Sequence, residues 1–195
     1  MNHTLTMRTG LFAACLIAAA LPAEATQWQV DASKSKLGFT LVWDKEPFHA
    51  DFKRWTAAID FDPADVAHAK ADVTIDIRSM FSEDPNNDKY RSGPNGLDVV
   101  HFPQARFVTK SIREVSPNRY EAVADLSIHG ITKEVKLPFA VQLNGNVAHV
   151  TGELALSRAD FKVGTGSTWG IDWTSERTVS HAVKVTVDLT ATRKP

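Results

Sequence analysis

Residues Asp125 to Phe139 read DLSIHGITKEVKLPF. Leu126 and Ile128 alternate with polar neighbours before His129-Gly130, and Val135, Leu137 and Phe139 resume an alternation after it. A period of two is the signature of a strand with one buried face. Two such runs meeting at a pair that contains glycine read as a hairpin, because glycine takes the positive φ that a tight turn demands. His129 is therefore read as part of the bend and not as a catalytic imidazole.

The same period extends outward in both directions. Leu37, Phe39, Leu41 and Trp43 share one face, and Trp55, Ala57, Ile59 and Phe61 share another before Asp62-Pro63 ends the run. Ala71, Val73, Ile75 and Ile77 alternate with Asp72, Thr74 and Asp76. A less regular run covers 105–115, and cleaner ones follow over 120–128, 135–143 and 150–156. In the last, Val179, Val183, Val185, Val187, Leu189 and Ala191 oppose Ser180, Lys184, Thr186, Asp188 and Thr190. These make eight predicted strands, apolar on one side only, which implies antiparallel pairing around a single interior. Ser116-Pro117-Asn118, His129-Gly130 and Asn144-Gly145-Asn146 suit hairpins between adjacent strands, giving a meander in the second half. Eight such strands can lie as an open sheet or close on themselves; closure removes both edges, and a closed interior can be filled by side chains or hold one small ligand. The predicted class is all-β, with eight antiparallel strands.

The first part of the 195-residue chain has a different character. Arg8, the apolar run Leu11 to Leu21 and the small-x-small Ala23-Glu24-Ala25 have the layout of a cleaved signal peptide over 1–25. The run is shorter than the roughly 20 apolar residues that cross a bilayer. A lipoprotein reading with Cys15 lipidated leaves almost no apolar core before the cysteine. Residues 26–195 then form one domain, and because Cys15 is the only cysteine, it carries no thiol. An exported chain held by its core alone suits a bacterial periplasm. Loss of Arg8 and Glu24 leaves the formal net charge at −1, and with no basic tract nucleic acid is excluded as a partner.

Two stretches break the rhythm. Residues 78–103 are polar and rich in Pro, Gly and Asn, with a helical turn or two at most. Residues 158–177 carry three glycines with Trp169 and Trp173. Long irregular segments in a compact domain are often lids or binding loops. A plug of packed core is the other reading, and a lid and a plug can be the same object.

Chemistry leaves few traces. Beyond the leader the histidines are His49, His68, His101, His129, His149 and His181, none in metal-ligand spacing, and no metal site is expected. No GxSxG elbow exists. The carboxylates of Asp44, Glu46, Glu83 and Asp84 read as solvated loop charge. Gly164, Gly166 and Gly170 do not follow a strand and open a helix as a phosphate cradle must. His181 falls in phase with Val179 and Val183, so it is placed facing the interior, either satisfied by a neighbour or donating to the polar head of a bound amphiphile.

Taken in order, DFKRWTAAIDFDP, DVTIDIRSM, HFPQARFVTKSI, ADLSIHGITKEVKLPF and LSRADFKVG resemble the YceI-like family of exported lipocalin-like domains, from about Trp28 to Thr192. Phe102, Pro103, Ala105 and Phe107 supply its FPxAxF marker, and Arg158 and Phe161 its Arg-x-x-Phe, with Lys162 where glycine is more usual. The resemblance implies an extended eight-stranded antiparallel lipocalin-like barrel with a short helix or lid loop, whose apolar cavity holds a polyisoprenoid or quinone-like lipid, with no other cofactor. It also implies a membrane b-type cytochrome and a homodimer as candidate partners.

Energetics favour a long ligand independently. Each buried methylene contributes roughly 0.8 kcal/mol, so about ten give ~8 kcal/mol gross, near micromolar before ordering costs. The leading expectation is a non-enzymatic periplasmic carrier. Its wall candidates are Phe39, Leu41, Trp43, Ile75, Phe107 and Ile128, then Leu137, Leu156, Val183 and Val185. His181 is the head-group candidate, and Trp169 and Trp173 close the mouth, where a ring greasy on one side and wet on the other fits. The rivals are an enzyme acting on a quinone or lipid head group through His181 or Asp88, and a ligand-free accessory of a membrane cytochrome.

Overall fold

The computed structural model describes residues 26–84, 88–89, 91–164, 166–168, 171–172 and 174–195. The expected leader over 1–25, together with Trp169 and Trp173, lies outside the described residues.

In the first half the alternating runs become β1 (Gln27–Val30), β2 (Lys36–Trp43), β3 (Glu46–Phe52), β4 (Trp55–Asp60), β5 (Lys70–Asp76) and β6 (Met80–Phe81). Longer strands follow: β7 (Gln104–Ser116), β8 (Arg119–Ile128), β9 (Ile131–Asn144) and β10 (Val147–Ser157). A minor hairpin of β11 (Ser167–Thr168) and β12 (Ile171–Asp172) precedes β13 (Ala182–Arg193). The ring runs β1-β4-β5-β7-β8-β9-β10-β13, and β13 closes it by pairing antiparallel onto β1. The expected eight-stranded antiparallel barrel is what forms.

Its first three staves are each broken in two. Lys184–Asp188 of β13 pair with β2, whereas Ala191–Arg193 pair with β1, so β1 and β2 continue one line across the 3-10 turn Ala32–Lys34. Asp31 makes that break by accepting from the Ser33 backbone N–H at 3.0 Å and its hydroxyl at 2.6 Å. By the same pairing logic β3 continues into β4, and β5 continues into β6 through Ile77–Ser79. Periodicity marks one strand in each of these staves, β2, β4 and β5, and leaves β1, β3 and β6 unmarked. β1 is only four residues long, and in β3 the inward set includes Ala50 between Phe48 and Phe52.

β7 explains its irregular pattern by a register shift between Thr109 and Ser111. Lys110 is the extra residue, so the inward set passes from Phe107 and Thr109 to Ile112. Turn chemistry follows the expected hairpins. His129 (φ 52°) and Gly130 (φ 73°) are both left-handed, as a two-residue type I′ turn requires. Asn118 at φ 61° after Pro117 takes the left-handed position of the β7–β8 turn, and Gly145 at φ 59° opens the β9–β10 turn. Phe102 lies under the β8–β9 hairpin, its ring 4.1 Å from that of His129, so the FPxAxF marker and the hairpin marker fit together as packing.

Candidate functional site

The inward faces do not meet. They enclose a cavity of about 280 Å³ whose wall is almost entirely apolar. Phe39, Leu41 and Trp43 of β2, Ile75 of β5, Phe107 of β7 and Ile128 of β8 line it. So do Leu137 of β9, Leu156 of β10, and Val183 and Val185 of β13. Phe48, Phe52, Phe139 and Phe161 line it as well and were not singled out from sequence. On β3 the signal was present, since Phe48 and Phe52 share a parity, but Pro47 and the small Ala50 disguised it. The volume is close to the lower bound for a ligand pocket, about 300 Å³.

One end is sealed. Trp28, Phe61, Tyr120 and Val141 are buried together with Ala148 and Ala191. The Trp28 indole Nε1 donates to the Phe61 carbonyl at 2.9 Å, and the Phe61 ring meets Tyr120 edge-on at 5.1 Å. Burial of an indole is favourable when its N–H finds such an acceptor. Trp43 and Phe48, beside the β2–β3 turn, stand toward the opposite end, where Val179 bridges to Trp43 and residues 158–164 pass across.

Among the described residues, four charged side chains reach the wall: Asp60, Lys70, Arg91 and Arg158. Lys70 Nζ lies 3.8 Å from Asp60 Oδ2. Arg158 is buried and committed to the backbone. Nε donates to Ser180 O at 2.9 Å, Nη1 to Val163 O at 2.9 Å and Gly164 O at 3.1 Å, and Nη2 to Val179 O at 2.7 Å. Burial pushes its pKa down, and Glu176 opposes that. The family's Arg-x-x-Phe is thus a clamp on the loop, with Phe161 2% exposed beside it. Lys162 closes the turn at φ 54°, the left-handed region where glycine is unstrained.

Arg91 differs. Its side chain sits in the polar stretch after β6 and is 9% exposed, with the guanidinium carbon 4.0 Å from the Phe48 ring centre and 4.9 Å from that of Trp43. Nη1 donates to Asp88 Oδ1 at 3.4 Å, and the buried Nε has no hydrogen-bond partner among the described residues. Burial lowers its pKa, while Asp88 and Asp84 raise it.

His181 is half-buried and is not among the residues that line the cavity. It occupies the bend before β13, where the Ser180 hydroxyl donates to Ala182 O at 2.8 Å and interrupts the alternation that linked Val179 to Val183. Its carbonyl accepts from the Arg158 N–H. Asp88, the other acid-base candidate, accepts from Ser82 N at 2.9 Å and Ser82 Oγ at 2.6 Å besides its pairing with Arg91. His49, His68, His101 and His149 each pair with one carboxylate at the surface. Among the described residues no group of three or more His, Cys, Asp or Glu is placed to hold a metal.

Comparison with known proteins places this geometry among relatives. The sequence model of the YceI-like domain matches residues 28–191. A "UPF0312 protein" of Pseudomonas savastanoi pv. phaseolicola is 30% identical over 106 residues, 54% of this chain and 52% of that protein. The chain thus spans about half the length of the curated relatives it matches. Burkholderia cenocepacia BcnA superposes with a TM-score of 0.79 at 32% identity, covering 84% of this chain and 100% of BcnA. A polyisoprenoid binding domain from Saccharophagus degradans superposes with a TM-score of 0.63 at 16% identity, over 86% of this chain and 98% of that domain, which shows a shared fold.

Proposed function

The chain belongs to the YceI-like domain family, and from that premise we propose that it is an exported, non-enzymatic carrier whose barrel binds a polyisoprenoid or isoprenoid-quinone-like lipid. The observation that carries the reading is the hollow of about 280 Å³ between inward faces that are almost entirely apolar. Such walls hold a ligand by buried area, and area is what a long hydrocarbon supplies. Polyisoprenoid binding is named for the Saccharophagus degradans domain, with which this chain shares a fold. Cleavage before Thr26 and a periplasmic setting belong to the same proposal, as do a homodimer and a b-type cytochrome partner. Turnover has little to work with here: Asp88 is engaged by Ser82 and Arg91, and His181 stands outside the wall.

Native mass spectrometry of protein purified gently from its own periplasm, with extraction of whatever it releases, tests the proposal. The expected result is one long-chain lipid per barrel, unchanged after prolonged incubation. Protein that carries nothing and takes up nothing from a total lipid extract contradicts it, and conversion of the lipid contradicts the carrier role.

A further inference from the structure

A cavity built only of hydrocarbon has no means of choosing one end of an amphiphile over the other. Among the wall's charged groups, Lys70 stands near Asp60 and Arg158 is spread over four backbone carbonyls. Arg91 is 9% exposed, borders the cavity, and through Nη1 makes a long 3.4 Å bond to Asp88. Its Nε finds no acceptor among the described residues. Leaving a buried donor of a charged group unsatisfied is costly, and such groups in native proteins ordinarily have a partner.

Resting on the lipid-binding reading above, we propose that Arg91 is the polar anchor of the cavity and takes an acceptor oxygen of the ligand's head group while the chain lies along the apolar wall toward Trp28. The Phe48 and Trp43 rings lie against the guanidinium and hold it in place. The head group is neutral. Asp88 already answers the guanidinium charge and Asp84 acts on it too, so a diphosphate would be buried beside carboxylates, while Lys70 and Arg158 on the wall are engaged by Asp60 and by backbone carbonyls. A hydroxyl, carbonyl or amide oxygen accepts a hydrogen bond without adding charge. This anchor stands toward the end of the barrel opposite Trp28, since Trp43 and Phe48 lie beside the β2–β3 turn.

The test uses the full chain stripped of endogenous lipid and three probes of one skeleton: geranylgeraniol, geranylgeranyl diphosphate and the corresponding hydrocarbon. Geranylgeraniol is expected to bind about ten- to a hundredfold more tightly than the hydrocarbon, the worth of a hydrogen bond to a charged group. Arg91→Met, which keeps an apolar stem against the rings, is expected to bring the alcohol down to the hydrocarbon's affinity and leave the hydrocarbon unchanged. Arg91→Lys, which keeps a charged donor, should retain part of the preference. If Arg91→Met does not fold, the wild-type ranking and Arg91→Lys still decide. Equal binding of alcohol and hydrocarbon, or an alcohol affinity unmoved by the folded variants, overturns the anchor while lipid binding stands. Diphosphate binding more tightly than alcohol overturns the neutral head group. Failure of all three probes to bind removes the lipid-binding reading and the anchor together.

Discussion

Lys162 shows how much one backbone angle can explain. At φ 54° it ends the turn that Arg158 clamps, a conformation costing a non-glycine residue about 1–2 kcal/mol. Lys162→Gly relieves that strain but frees the unfolded chain, so a net gain of about 0.5–1 kcal/mol is expected in urea denaturation. No change or a loss would mean that the lysine side chain contributes there. Neither this residue nor Arg91 announced itself through periodicity. Lys162 stood out only against a family pattern, and Arg91 lies in a polar stretch where alternation is silent. A buried cation in such a loop becomes visible when the barrel brings Phe48 and Trp43 against it.

At the scale of elements, the breaks in the first three staves are held by short-range polar chemistry. Asp76 is the pin. Its carboxylate accepts from the Arg78 Nε at 2.8 Å and the Arg54 Nη2 at 3.0 Å, so it ties the β5–β6 break to the β3–β4 break. Arg78 above all, then Arg54, lowers its pKa from the ordinary 3.8 to about 2. A depressed carboxylate stabilises the fold above its unfolded pKa, and that contribution is lost as pH falls from near 3.8 through about 2. Asp76→Asn is therefore expected to lower stability at neutral pH and flatten the acid limb of a urea-midpoint profile. An unaltered acid limb would place the sensitivity elsewhere. The β8–β9 hairpin offers a second check. A methyl on Gly130 would stand 2.9 Å from the Phe102 ring at φ 73°. Gly130→Ala should cost about 1–2 kcal/mol, whereas a neutral effect would show that Phe102 yields freely.

For the molecule as a whole, with closure into a barrel implied by the family resemblance, the alternation in 36–43, 55–60, 70–76 and 182–193 marks antiparallel strands around one interior and the side chains that face it. It could not show that the stave lines bend at Asp31 and Asp76, because those bends come from side-chain bonds to nearby backbone N–H groups, not from hydrophobic pattern. Nor could it tell a hollow from a solid centre, since strands facing a cavity and strands facing each other carry the same residues. The distinction depends on barrel girth. Val185→Trp sits on the wall and should occupy the space, leaving the chain folded while binding of the hydrocarbon probe falls at least about tenfold. Retained binding would move the ligand away from this part of the tunnel.

Xenon settles hollow against solid without any assumption about the lipid, because it enters dry apolar cavities. In crystals of lipid-free protein under xenon pressure, ordered xenon is expected between the β2 and β13 faces, bordered by Phe39, Val183 and Val185. A barrel that takes up none, with the facing side chains interlocked across its axis, contradicts the open interior on which binding depends.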